Sequence, residues 1–335
     1  MIKVLIVDDS SLVRSIIKDF LESDSSFQVI GEAENGQEGV NLAQQLNPDL
    51  ITMDIEMPVM NGLQAIAEIK KTMTTAIVVI STHDTAKMAY DATVKGAHEF
   101  YAKDIFTSQM SAQKRDQILD TLKHITSKKR KIPVHQDKVQ TLQAASQQIK
   151  AVVIASSTGG PQALSQLCVG LPEEFPVPII LVQHNISGFD LGFVQWLNQQ
   201  TQLNVCIAKE QVIPVKGNFY VAPTDKHLVV DKTGFLLDDS EPINSQKPAA
   251  DLLFKSACEL YGEALVSVVL TGMGCDGADG SRYVKEAGGI TIAQDEASSV
   301  IYGMPQAAFE TGCIDMVLSL ELIAPQLVSL TKGCK

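Results

Sequence analysis

The chain has 335 residues, 45% of them hydrophobic and 20% charged, an ordinary globular balance at a length that suggests two domains. A formal net charge of −12 argues against nucleic acid or an anionic membrane surface as the main partner, because both require a basic face. There is no apolar run of membrane-spanning length, and the apolar start Met1–Val7 meets Asp8 and Asp9 too soon for a secretory signal, so a cytoplasmic protein without membrane insertion is expected.

Residues 2–7 form a continuous apolar run, the pattern of a buried parallel strand. Ser10 or Ser11 can cap the next helix, on which Leu12, Val13, Ile16, Ile17, Phe20 and Leu21 share one face. Strand-like runs recur near 28–33, 49–53, 76–81 and 98–102, with helical segments between them, and a helix near 110–126 closes the unit. This alternation predicts an α/β domain with a doubly wound, flavodoxin-like parallel sheet.

From 127 to 149 the chain changes character. Lys128-Lys129-Arg130-Lys131 leads into a Gln-rich stretch, read as a linker with a solvated basic face. The expected organisation is therefore a first domain over 1–126, a linker over 127–149 and a second domain over 150–335. In the second domain, strands are expected at 151–156 and near 178–183, 204–208, 218–222, 227–231, 265–270 and 289–293. They predict a Rossmann-like, mostly parallel sheet with a hairpin around Asp231 to Leu236. All six cysteines lie in this half without a CxxC pair, and no HExxH or Cys/His cluster is present, so reduced thiols and no structural zinc are expected.

Asp8 and Asp9 follow the first predicted strand and Asp54 follows the third. In a flavodoxin-like order these strands are neighbours, so the three carboxylates converge at the carboxyl edge of the sheet. Crowded carboxylates repel one another, and a hard divalent cation such as magnesium relieves the repulsion. Ser81, at the end of the fourth strand, can supply a hydroxyl, and Lys103, after the fifth, a fixed positive charge. Taken singly, each Asp reads as a turn residue or helix cap. The set fits a carboxylate nucleophile that accepts a phosphoryl group. Val7-Asp8-Asp9-Ser10, Met53-Asp54-Ile55-Glu56-Met57-Pro58-Val59-Met60-Asn61-Gly62 and Lys103 resemble the receiver domain of bacterial response regulators. The resemblance implies Asp54 as phosphoacceptor and a histidine kinase as phosphodonor. It further implies Mg2+ held by Asp9 and Asp54, by Asp8 through water and by the Glu56 backbone carbonyl, with Ser81 and Lys103 sensing the phosphoryl group. The family's usual Pro after that lysine is Asp104 here.

In the second half, the first strand runs into Ser156-Ser157-Thr158-Gly159-Gly160-Pro161. Such a strand-to-helix turn serves either as an anion site or as a seat for an exposed nucleophile. No GxGxxG and no P-loop lysine accompany it, which weighs against nucleotide binding. His184 ends the next strand and Asp276 follows Leu270-Thr271-Gly272-Met273-Gly274-Cys275. Alone, the histidine reads as a structural residue and the aspartate as a turn former. Together Ser157, His184 and Asp276 lie at the carboxyl ends of predicted strands and can form a Ser-His-Asp triad. Backbone N–H groups of the 272–274 loop can face an oxyanion.

Ser157-Thr158-Gly159-Gly160, Gln183-His184, Tyr220-Val221-Ala222-Pro223, Leu270-Thr271-Gly272-Met273-Gly274 and Ala297-Ser298 with Gly303-Met304-Pro305 resemble the chemotaxis protein-glutamate methylesterase (CheB) family over nearly the whole chain. That resemblance implies hydrolysis of glutamyl γ-methyl esters, and deamidation of certain glutamines, on methyl-accepting chemotaxis receptors. It implies an acyl-enzyme on Ser157, the Met273 N–H in the oxyanion hole, and no cofactor for hydrolysis. It also implies that phosphorylation activates the hydrolase. The sequence departs from the family at Ala155-Ser156 (usually Gly-Ala), at Cys275 (usually Asn), at Asn185-Ile186-Ser187 (usually Met-Pro-Pro) and at Ala249 (usually Ser). The alternative function is a phosphorylation-dependent interaction module whose hydrolase domain is inactive or serves another pathway.

Overall fold

The computed structural model describes residues 1–82, 86–107, 110–127, 148–185 and 187–332. Most of the expected linker, with its basic run from Lys128, and Ile186 lie outside the described residues. The chain divides into two compact units, Met1–Arg130 and Lys131–Lys335. Among the described residues no helix is long and apolar enough to cross a membrane.

The first unit alternates strands and helices: β1 (Ile2–Val7), α1 (Ser11–Glu22), β2 (Phe27–Ala33), α2 (Gly36–Leu46), β3 (Leu50–Met53), α3 (Gly62–Thr72), β4 (Ala76–Ser81), α4 (Ala86–Val94), β5 (Glu99–Ala102) and α5 (Ala112–Thr126). Its sheet is parallel throughout, in the order β2-β1-β3-β4-β5. Val4, Ile6, Leu50, Val78 and Ile80 form the core with Ile17 and Leu21 of α1 and Ile118 of α5. Ser10, rather than Ser11, is the cap of α1, its hydroxyl accepting from the Val13 N–H. The apolar stripe of α1 is only partly covered: Ile17 and Leu21 are buried, while Leu12 stays 69% exposed. At the start of α3, Asn61 and Gln64 form a reciprocal capping box. Gly62 lets this helix start against the loop after β3, since a Cβ there would lie 1.9 Å from the Asp54 carbonyl oxygen.

The second unit contains β6 (Ala151–Ser156), α6 (Gly160–Val169), β7 (Ile179–Gln183), α7 (Asp190–Leu197), β8 (Asn204–Ile207), β9 (Asn218–Val221), β10 (His227–Asp231), β11 (Gly234–Asp238), α8 (Ala250–Tyr261), β12 (Leu265–Val269), α9 (Ala278–Glu286), β13 (Ile290–Gln294), α10 (Met304–Glu310), β14 (Met316–Leu318) and α11 (Leu320–Leu330). Seven strands form a parallel sheet in the order β14-β13-β12-β6-β7-β9-β8. The edge strand β14 has no counterpart among the sequence expectations. β10 and β11 form a separate antiparallel hairpin at the expected place, and Leu228, Val230 and Phe235 pack with Leu253 and Phe254 of α8. The chain leaves the central strand β6 for β7 on one side and later returns to β12 on the other. That reversal opens a crevice beside the carboxyl end of β6, where open α/β sheets bind ligands.

Candidate functional site

In the first unit, β1, β3, β4 and β5 deliver the expected side chains to one edge of the sheet. Asp8 and Asp54 are buried, at 1% and 4% exposure, and Asp9 is exposed. One oxygen from each of the three carboxylates lies within 4.8 Å of the others. Lys103 reaches both buried acids, its Nζ 2.8 Å from Oδ2 of Asp8 and 2.8 Å from Oδ2 of Asp54. The Ser81 hydroxyl donates to Oδ1 of Asp54 at 3.3 Å and the Ile55 N–H donates to the same oxygen at 2.8 Å. Burial, reinforced by the charge of Asp54, raises the pKa of Asp8 above its ordinary value. Burial works against the Lys103 ammonium, but its bonds and charge interactions with Asp54 and Asp8 outweigh it, and its pKa is raised.

These all-oxygen, anionic donors fit a hard divalent cation. The Lys103 ammonium, 2.8 Å from Oδ2 of both Asp8 and Asp54, offsets part of their negative charge. Glu56 is exposed in the loop between β3 and α3. Asp104 is exposed in a 3-10 turn over Lys103–Ile105, and Lys103 still reaches the acids.

In the second unit, the loops after β6, β7 and β12 carry Ser157, His184 and Asp276 to the switch-point crevice. Nε2 of His184 lies 2.8 Å from Oδ2 of Asp276. Nδ1 of His184 is buried and has no hydrogen-bond partner among the described residues. The ring thus turns Nε2 to the acid, the reverse of the arrangement in which Nδ1 faces it. Asp276 is 2% exposed. Its Oδ2 also accepts the Ala250 N–H at 2.6 Å, and its Oδ1 accepts the N–H groups of Asp251 at 2.9 Å and Gly277 at 3.1 Å. Burial opposes its ionisation, yet the His184 ring and these N–H groups outweigh burial and hold its pKa below the ordinary value.

Ser157 is half-buried, and its N–H donates to the Thr271 carbonyl at 3.0 Å. A Cβ on Gly272 would come within 2.7 Å of the Ser157 Cβ and 2.3 Å of the Met304 sulfur, so only glycine fits where this loop passes the serine. The Gly272 N–H bonds the Ile301 carbonyl at 3.1 Å, which removes it from the oxyanion donors expected in this loop. Met273, half-buried, lies next in the loop.

Ser156 is fully buried and its hydroxyl donates to Oε1 of Gln183 at 2.6 Å. The Gln183 amide in turn donates to the carbonyls of Ser157 and His184, each at 3.1 Å. This glutamine therefore ties together the two loops that carry the serine and the histidine. The sequence drew attention to Gln183-His184 as a motif, but a buried amide bridging two loops leaves no spacing signature. Cys275 is exposed, and burial together with the charges of Asp251, Asp276 and Asp279 pushes its thiol up, against any role as a thiolate nucleophile. Ala249 stands fully buried ahead of α8, its N–H bonded to Nδ1 of His227 at 3.1 Å. Ser187 donates to Asp225 beside the crevice.

Residues 152–327 match the family described as CheB methylesterase, and residues 4–114 match the response regulator receiver domain. A protein-glutamate methylesterase/protein-glutamine glutaminase of Clostridium acetobutylicum is 38% identical over 341 residues, spanning 100% of this chain and 99% of that protein. One of the same name from Thermotoga maritima is 36% identical over 338 residues, with 98% of each chain covered. The crystal structure of the Thermotoga maritima CheB methylesterase catalytic domain matches with a TM-score of 0.53 and 39% identity, over 54% of this chain and 98% of that one.

Proposed function

The chain belongs to the CheB methylesterase family, and from that premise we propose that it is a phosphorylation-activated protein-glutamate methylesterase and protein-glutamine glutaminase whose nucleophile is Ser157. Its substrates are glutamyl γ-methyl esters and certain glutamines of methyl-accepting chemotaxis receptors, and it works in the cytoplasm to reset receptor methylation.

His184 takes the Ser157 proton through Nδ1 as Oγ attacks the γ-carbonyl carbon. The tetrahedral intermediate collapses with cleavage of the C–O bond, and methanol leaves with the proton from His184. With glutamine the C–N bond breaks and ammonia leaves. Water then gives a proton to His184 and attacks the acyl carbon, and Ser157 departs reprotonated, leaving a glutamate. Asp276 fixes the ring tautomer and stabilises the imidazolium. The Met273 N–H donates to the oxyanion, a contact typically worth about 2.7–4 kcal/mol in the transition state.

In the receiver, Asp54 accepts a phosphoryl group from a histidine kinase. Asp8, Asp9, Asp54 and the Glu56 carbonyl are the residues to hold Mg2+, which when bound neutralises charge between the carboxylates and the incoming phosphate. Lys103 and Ser81 then read the phosphorylated state through their bonds to Asp54.

The observation that carries the hydrolase reading is the His184–Asp276 pair, with an Nδ1 that has no partner among the described residues, on loops bordering the same crevice as Ser157. A fluorophosphonate probe tests it. Wild type and Ser156→Ala should label alike and Ser157→Ala should not. Equal labelling of Ser157→Ala and wild type would sink the assignment.

A further inference from the structure

Helix α8 has no side-chain cap of its own, and its first N–H groups, those of Ala250 and Asp251, bond the carboxylate of Asp276. The exchange also runs the other way. Helix α9 starts after Gly277, again without a side chain of its own to cap it. There Oδ1 of Asp251 accepts the N–H of Gly277 at 2.9 Å and of Gly280 at 2.7 Å. Each helix start is capped by an acid carried at the start of the other. Gly280 permits the close approach, because a Cβ there would lie 2.7 Å from the Phe254 Cβ. Asn244 Nδ2 donates to the second oxygen of Asp251 at 3.3 Å. His227, fully buried on β10, completes the support: Nδ1 accepts from Ala249, so Nε2 is the nitrogen that donates to the Glu241 carbonyl, 3.1 Å away.

We propose that Asp251 is a positioning residue for hydrolysis: by clamping Gly277 and Gly280 it fixes the segment that carries Asp276, and so the angle at which Asp276 holds His184. The role rests on the triad reading above. A cap alone does not call for a charge, since Ser, Thr or Asn caps a helix without placing one buried carboxylate beside another. Burial and the charge of Asp276 push Asp251 up to about 6, so above neutral pH two negative charges stand behind the imidazole. Among the described residues, the titratable groups around Asp251 also include Asp279 on α9, Cys275 just before Asp276, His184 beyond Asp276 and His227 on β10.

The test uses the full chain with Asp251→Ala, which loses acceptor and charge, and Asp251→Asn, which keeps the acceptor. Ser157→Ala and Asp276→Ala are the references. The readouts are kcat and KM for a small neutral ester, across the pH range, and the rate of fluorophosphonate labelling. Asp251→Ala should lower kcat and labelling by about 10- to 100-fold, the scale of a small misplacement of a catalytic group, with KM changed less than about twofold. Asp251→Asn should restore most of kcat, with the acid limb of its rate profile moved to lower pH, because a lost negative charge favours the neutral imidazole. A wild-type kcat in Asp251→Ala, or an Asp251→Asn variant no better than Ala, overturns the proposal. Should the alanine variant not fold, Asp251→Asn decides: an unchanged acid limb overturns the role and a lower one supports it. If Ser157→Ala still hydrolyses and labels, the triad reading falls and this role with it. Loss in Ser157→Ala and Asp276→Ala with none in the Asp251 variants removes the positioning role alone.

Discussion

Ser156 points its hydroxyl at the Gln183 amide, while Ser157, one residue on, sits half-buried beneath the Gly272 backbone. Side chains alternate between faces at the end of a strand, so adjacent hydroxyls there have different surroundings. Asp251 shows the same dependence on position through its titration. Its pKa rises from 3.8 to about 6, so the native chain holds this proton where the unfolded chain has released it. Its contribution to stability therefore falls as pH rises from about 4 to 6, and the full penalty is present above that window. Asp251→Asn should melt higher than wild type near pH 8, with the gap closing toward about pH 4. Thermal melts at the two pH values check this, and a variant that melts lower near pH 8 contradicts it. The places of Ser157, His184 and Asp54 at the carboxyl edges of the sheets were legible because each follows an apolar run, and that of Asp276 because a Gly-rich loop leads to it from another. Asp251 was not: in sequence it is an acid in the first turn of a helix, and its partners lie some 25 residues away, at Asp276 and Gly277.

At the scale of elements, α3 illustrates how local sequence places the loop that carries Asp54. The Asn61–Gln64 capping box sets where the helix begins, and Gly62 lets that beginning rest on the Asp54 carbonyl. Gly62→Ala puts a methyl group into backbone that cannot rotate away. It should destabilise the first unit by about 1–3 kcal/mol or more, the usual cost of overpacking. Differential scanning calorimetry should show its transition moving down while that of the second unit stays. The strands of both sheets could be read from continuous apolar runs because strands buried on both faces need no polar alternation. Two things could not. β14 is three residues long, too short to leave a pattern. The stripe on α1 is wider than the face that packs, and sequence alone gave no sign that Leu12 remains exposed.

At the scale of the molecule, each unit has its own core, built from residues of its own sheet and helices. Such units communicate only through a shift in an equilibrium that both influence. Phosphorylation of Asp54 should therefore raise ester hydrolysis without altering the chemistry at Ser157. A coupling free energy of about 1–3 kcal/mol corresponds to roughly 5- to 150-fold. Hydrolysis by the full chain with and without a small-molecule phosphodonor measures it, and Asp54→Ala should show no response. No gain on adding the phosphodonor would remove the regulatory claim and leave the hydrolase untouched.

The carboxylate at position 276 also bears on how a hydrolase of this architecture decays. Asp276 holds the first N–H groups of α8 as well as the imidazole, so its removal strips a buried helix terminus of its acceptors. A copy that has lost its substrate can discard the half-buried Ser157 at little structural cost, whereas loss of His184 leaves the buried Asp276 charge without its partner, and folding alone would still select for the acid. Among diverged copies, an intact aspartate at this position is therefore a poor marker of the proposed catalysis, and the serine is the residue to consult.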